Sequence, residues 1–319
     1  MNHHTRKTKR NKSSTIYYDA FRTMMNDCLP LVIPVINEAF GKNYTGRERI
    51  FLNPNEHYIN QQDGREQKRI TDSAFTIITD DGRKDKYIFE CQSTADGTIL
   101  VRIFEYIMQE ALDSGEVSNN QLTVTVSNAT VLFLRSNDNT PDVMKIVINT
   151  PGGTVDFDVP VIKMNSYTLD DIFGKGLYFL LPFYIFNFEK KFAIYEKDKA
   201  EREKLMEEYA EFSERLYNAL MDRKIFEHHR STILGMSKSV LRKIAAKFKK
   251  VKTGVDEIMG GRILDYPGRK EYYEGIEYGK REGMLEKCLE IAHELRGLGV
   301  SDTIICKATR LSQEELNML

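Results

Sequence analysis

Two strand-like runs, Arg69–Thr79 and Lys84–Ser93, flank the tripeptide Asp80-Asp81-Gly82, and this pairing constrains the chain more than any other feature. Asp-Gly between apolar alternations signals a β-hairpin, and the loop length decides which side chains share a face. In a three-residue loop Gly82 takes the left-handed position that suits glycine, and Thr79 faces Arg83. Counting outward then sets Asp72 opposite Glu90 on one face, with Gln92 two residues along on the same face. A two-residue loop instead sets Asp72 against Cys91 and sends the two carboxylates to opposite faces.

The hairpin sits within a mixed pattern of helices and strands. Phe21, Met24, Met25 and Cys28, then Val32, Val35, Ile36 and Phe40, predict helix over 17–40, interrupted near Pro30 and Pro34 and ended at Gly41. Residues 53–68 are polar and read as a loop. After the hairpin, Ile99, Ile103, Phe104, Ile107, Met108 and Leu112 predict a helix over 98–112. Three strands are expected at 122–134, 143–149 and 154–164, then a short helix at 169–173. The apolar run Leu177–Phe188 reads as a buried strand or core segment, because it contains Pro182 and is too short to span a bilayer. From 189 the composition turns to Glu, Lys and Leu, which predicts a pair of long amphipathic helices broken near Asp222 and softened at Gly235.

Four segments follow: a basic, disordered tail at 1–14, a core at 15–188, a charged helical region at 189–270, and a small helical unit at 271–319. In the last unit Gly275, Gly279 and Gly283 recur every four residues, and Ser312 opens a capping box with Glu315. That unit reads as an interaction element through which the chain forms a homo-oligomer.

Composition excludes several classes. A formal net charge of −1 gives no global basic field, so a nucleic-acid surface has to be a local patch. The four cysteines are far apart with no CxxC, which argues against a zinc site or a disulfide framework and fits a reducing cytoplasm. Neither a P-loop nor a dinucleotide fingerprint is present. No membrane association is expected.

Two carboxylates on facing strand positions lie roughly 4.5–5.5 Å apart at Cβ and repel unless a cation or an arginine stands between them. A hard divalent ion, Mg²⁺ or Mn²⁺, takes oxygen ligands: Asp72, Glu90 and the backbone carbonyl of Cys91 are the candidates here. Such an ion activates water and neutralises phosphate charge, as phosphodiester hydrolysis requires. The competing reading is that Asp72 and Glu90 face solvent or pair with Arg69 or Lys86. Against it, Glu90 stands in a strand that otherwise reads as buried, where an unpartnered carboxylate is costly.

Three runs together, Arg69–Phe75 (RITDSAF), Tyr87–Ser93 (YIFECQS) and Val101–Tyr106 (VRIFEY), resemble the bacterial Rpn-like proteins of the PD-(D/E)XK superfamily. These are described as recombination-promoting nucleases or transposases. Pro30–Phe40, Val131–Arg135, Ile172–Phe188 and the glycine-punctuated tail extend the resemblance over most of 17–319. It implies an α/β (α+β) restriction-endonuclease-like PD-(D/E)XK core with a mixed sheet and a helical C-terminal region. It further implies a metal-dependent DNA endonuclease acting in recombination or transposition, with Asp72 and Glu90 on the metal. Gln92 stands where the superfamily usually has lysine, so hydrogen bonding replaces a positive charge. Glu38 corresponds to a further acid that related nucleases often carry on the first helix, and it reads equally as an exposed glutamate.

On the helix after the hairpin, Arg102, Tyr106 and Gln109 share a face and are candidates to hold the scissile phosphate. The same face also reads as ordinary polar surface. Lys238–Lys252 carries seven basic residues, fit either for DNA phosphates or for balancing the acidic helix at 196–214. Two alternatives to the nuclease remain: a weak or inactive nucleic-acid-binding protein of the same fold, and a helical oligomerisation scaffold.

Overall fold

The structure is a computed structural model. It describes residues 15–53, 74–94 and 98–260, the backbone of 56–60 and 66–70, and parts of 288–309. The chain divides into two compact units, Met1–Gly261 and Arg262–Leu319. Among the described residues no helix is long and apolar enough to cross a membrane.

The first unit is mixed α/β around a six-stranded sheet. Strands β1 (Arg49–Leu52), β4 (Ala74–Ile78), β5 (Lys84–Thr94), β8 (Asn128–Arg135), β9 (Val143–Thr150) and β10 (Gly153–Lys163) lie in the order β1-β4-β5-β8-β10-β9. Pairing is antiparallel from β1 to β5, parallel between β5 and β8 and between β8 and β10, and antiparallel again to β9. Parallel neighbours cannot be joined by a tight turn, and helix α3 (Ile99–Asp113) supplies the crossover from β5 to β8.

The β4–β5 register follows the three-residue loop. Ala74 pairs with Ile88 and Ile78 with Lys84. Thr79 N donates to Arg83 O at 3.0 Å, Gly82 N to Thr79 O at 2.8 Å, and Gly82 has φ +82°. A residue with a Cβ is strained there, which is why the loop needs this glycine.

Pleating then sorts the side chains onto two faces. Ala74, Ile88, Val131, Phe133 and Val159 lie on the α3 side and pack with Ile99, Ile103 and Ile107. Tyr87 and Phe89 point the other way. There Phe89 meets Phe21 of α1 (Thr15–Asp27) at 5.1 Å between centroids, and Phe179 at 5.6 Å. Helix α2 (Ile33–Phe40) covers the same side, with Phe40 5.3 Å from Tyr87.

Four expectations are corrected. Residues 53–68 are not simply a loop: β2 (Glu56–Asn60) and β3 (Glu66–Ile70) form a separate two-stranded sheet, so the first run of the hairpin is divided between β3 and β4. The expected strand at 122–134 also divides, because β7 (Gln121–Thr123) pairs with β6 (Glu116–Ser118) before β8 begins. Leu177–Phe188 is core but not strand: Tyr178–Asn187 is a 3-10 helix, buried from Tyr178 to Phe186. Finally, Gly235 lies inside α7 (Glu227–Ile244) and does not interrupt it.

The charged region folds as α5 (Phe192–Lys197), α6 (Lys199–Met221), α7 (Glu227–Ile244) and α8 (Lys249–Gly260), after the short α4 (Leu169–Gly174). The break after Met221 falls at Asp222, where the sequence places it. In the second unit α9 (Asp302–Thr309) packs Ile305 with Ala292, and Arg296 pairs with Asp302. The tail 1–14, Gly275, Gly279, Gly283 and the Ser312 capping box lie outside the described residues.

Candidate functional site

Glu90 is the buried acid of the central strand. It is 3% exposed, and its β5 position pairs with Val131 of β8, itself next to Val161 of β10. An ionised carboxylate in so apolar a row is costly unless a positive group compensates it. Arg102 does so: its Nη2 lies 3.4 Å from Glu90 Oε2, while the arginine side chain remains 38% exposed. Arg102 is the fourth residue of α3, so Glu90 also lies near the positive end of that helix.

The neighbours on β5 divide by face. Gln92 is half-buried on the Glu90 side, opposite Phe133. Cys91 is buried on the other side, and burial together with the Glu90 charge pushes its thiol well above its ordinary value, with Arg102 pulling the other way. The thiol therefore stays protonated and is no nucleophile at neutral pH. Asp72 lies outside the described residues; the rungs from Ala74–Ile88 to Ile78–Lys84 follow the register in which it counts opposite Glu90.

The remaining candidates are spread out. Tyr106 is half-buried against the apolar cluster under α3. Gln109 donates to Asp113 at 2.9 Å, within its own helix. Glu38 accepts from Lys175 Nζ at 2.6 Å and from the Tyr167 hydroxyl at 3.4 Å. Since α2 covers the Tyr87 side, Glu38 stands on a helix across the sheet from Glu90, and no hydrogen bond or ion pair joins the two.

Sequence reasoning missed Glu110. This second acid under α3 is 8% exposed and accepts from Asn53 Nδ2 and Ser127 Oγ, while Asn53 Oδ1 accepts from Thr76 Oγ1 at 2.7 Å. The signal was present: Glu110 falls on the stripe of Ile103, Ile107 and Ala111, where a charged residue needs partners.

The spacing of the two acids has a simple origin. Eight helical residues, Arg102 to Glu110, rise about 12 Å. Four strand residues, Glu90 back to Lys86, span about 13 Å. Helix α3 therefore runs antiparallel to β5 and covers one acid at each end.

A hard cation takes one or two carboxylates and fills its other positions with water and phosphate oxygens. Glu90 and the Cys91 carbonyl are oxygen donors of that kind, and no group of three or more His, Cys, Asp or Glu forms a metal cluster among the described residues. Comparison of the chain with protein-family models, curated proteins and solved structures finds no match.

Proposed function

We propose that the protein is a divalent-metal-dependent endonuclease that hydrolyses phosphodiester bonds in DNA, built on a PD-(D/E)XK-type core. The observation that carries this reading is the buried Glu90, set on the central strand and within reach of a partly exposed Arg102. This pair has its acid in the core and its base open to solvent.

In this reading Glu90, Asp72 and the Cys91 carbonyl hold Mg²⁺ or Mn²⁺, which when bound supplies the charge that activates water and neutralises phosphate. Arg102 turns its partly exposed guanidinium to a non-bridging oxygen of the scissile phosphate, for which that planar fork is suited. Gln92 orients water or phosphate by hydrogen bonds but brings no charge, so turnover is slower than with lysine there. Tyr106 and Gln109 would reach flanking phosphates only by giving up the packing on the cluster under α3 and the bond to Asp113. Glu38, held by Lys175 and Tyr167, acts at this site only if α2 presents it there on binding DNA. A role in recombination or transposition rests on resemblance, as does assembly through the C-terminal helices.

The test is cleavage of supercoiled plasmid by the wild type, Asp72→Ala and Glu90→Ala, each with Mg²⁺, Mn²⁺ or EDTA. Metal-dependent cutting that disappears in both variants supports the reading. A wild type that binds DNA but never cuts it defeats the reading. The second reading, a protein that binds nucleic acid without cutting, is favoured by one observation: the Arg102 guanidinium lies 3.4 Å from Glu90, where it balances the carboxylate charge.

A further inference from the structure

The chain is nearly neutral, yet its tertiary structure gathers lysines from two separate segments onto one surface. Phe192 and Phe248 meet edge to face at 5.5 Å, which brings the start of α5 against the turn between α7 and α8. The Glu196 carboxylate then accepts from Lys250 N at 2.9 Å and from Val251 N at 3.3 Å, capping α8 with an acid from α5. Six exposed lysines surround this junction: Lys190, Lys191 and Lys197 on one segment, Lys247, Lys249 and Lys250 on the other. None of the six has an ion-pair partner among the described residues.

The nearby acids are already engaged. Glu189 holds Arg135 through both carboxylate oxygens, at 2.6 and 2.8 Å. Glu196 is bound to the α8 backbone, and Asp198 accepts from Ala200 N and Glu201 N at the start of α6. Asp256 pairs with Arg242 at 3.0 Å. The junction therefore sets six lysine charges against the two carboxylate charges of Glu196 and Asp198, a net positive excess, whereas Lys199 and Lys204 pair with Glu203 and Glu201.

This surface is also tied to the candidate site. Arg135, at the carboxyl end of β8, bonds both Glu189 and the Ser93 hydroxyl, three residues beyond Glu90 on β5. Lys190 and Lys191 thus begin where the two parallel strands end.

We propose that segments 190–197 and 247–250 form one docking surface for the phosphate backbone of DNA, leading to the carboxyl ends of β5 and β8. The choice of DNA as the polyanion rests on the nuclease reading of Glu90; the surplus of charge does not. Binding of this kind is independent of sequence and weakens steeply with salt, because each contacted phosphate releases counterions.

The test is fluorescence anisotropy with a short labelled DNA duplex in EDTA, over a salt series. Two charge reversals are compared with wild type: Lys190→Glu with Lys191→Glu, and Lys247→Glu with Lys249→Glu and Lys250→Glu. Each is expected to bind about tenfold more weakly or worse, with the log–log salt slope of the triple variant shallower by about 2–3. Reversing the paired Lys199 and Lys204 changes total charge similarly and is the control, expected to have a much smaller effect. Equal losses in control and test variants overturn the proposal, as does unchanged binding in both. So does binding that shifts only on phosphatidylglycerol vesicles, which would make the surface a membrane contact. The two readings fail separately. Lost binding with a wild type that never cuts leaves the surface standing and removes the nuclease; intact binding with Glu90-dependent cutting does the reverse.

Discussion

The two faces of the central sheet solve the same burial problem in different ways. On the α1 side Phe21, Phe89, Phe179 and Phe183 fill the space with rings in edge and tilted contacts. On the α3 side aliphatic packing is interrupted by two acids, Glu90 and Glu110. Ring packing is tolerant of partner identity, because dispersion and area burial are not directional. A buried carboxylate demands particular donors, so the α3 face is the one where chemistry is specified. Within that face the acids differ again. Glu110 is held by neutral donors, Asn53 and Ser127, in a closed network. Glu90 is met by a cation that reaches solvent. The first arrangement suits an anchor and the second a site.

Phe89→Ala tests the aromatic face most severely. It removes a fully buried ring and should cost about 3–5 kcal/mol in urea unfolding. A loss of about 1 kcal/mol would mean the face closes over the missing ring, which would sharpen the contrast with the acid-bearing face. A loss well above about 5 kcal/mol would mean ring packing there is as demanding of its partners as the buried acids are. On the other face, Glu110→Ala leaves the Asn53 amide and the Ser127 hydroxyl without their acceptor and should cost about 2–4 kcal/mol, with DNA cleavage otherwise unaffected at permissive temperature.

His229 sharpens the picture of the apolar side. It lies in α7, which packs on α1, is 4% exposed, and its Nδ1 accepts from Phe226 N at 3.4 Å. Burial, then the adjacent His228, lowers its pKa to about 4, and His228 is itself lowered by burial while Asp27 pulls it up. The unfolded chain, titrating near 6.5, binds more protons than the folded one between those values. The stability contribution is therefore complete above about pH 6.5 and is lost as pH falls toward 4, by about 2 kcal/mol at pH 5. Chemical denaturation at pH 7 and pH 5 should show this loss, and His229→Leu should flatten it. An unchanged slope in the variant would assign the acid sensitivity to other groups.

Glu90→Gln should have the smallest effect on stability, within about 1 kcal/mol, because losing the buried charge offsets losing the Arg102 pair. On the nuclease reading its metal-dependent cleavage should fall more than about 100-fold. A large loss of stability with cleavage retained would make Glu90 an anchor like Glu110 and would erase the distinction between them.

Local rules carried much of the fold. Gly82 marked the hairpin and offered two loop lengths, and the structure takes the three-residue one and its β4–β5 register. The repeat of Ile99, Ile103 and Ile107 identified α3 and its buried stripe. Both follow from backbone sterics and short-range periodicity, which act between residues a few positions apart. The same rules missed the pairing of β2 with β3, the separation of β7 from β8, and the 3-10 form of Tyr178–Asn187. The first two are local hairpins of polar residues without a strong apolar alternation, whereas the apolar run Tyr178–Asn187 could satisfy its backbone as strand or as helix, and packing against distant segments decided it.

The candidate site divides along the same line. Sequence by itself determined that Glu90 and Gln92 share a face of a buried strand, and that Arg102 stands in the first turn of the next helix. Only the tertiary structure decided that Arg102 meets Glu90, that Glu38 is held by Lys175 and Tyr167 across the sheet, and that Glu110 is closed off by Asn53 and Ser127. It also brought Lys190 and Lys191 to the ends of the strands and beside Lys249 and Lys250. Periodicity fixes which way a side chain points. Which group it meets, and whether a charge is left unmatched, depends on packing between segments that are distant in the chain.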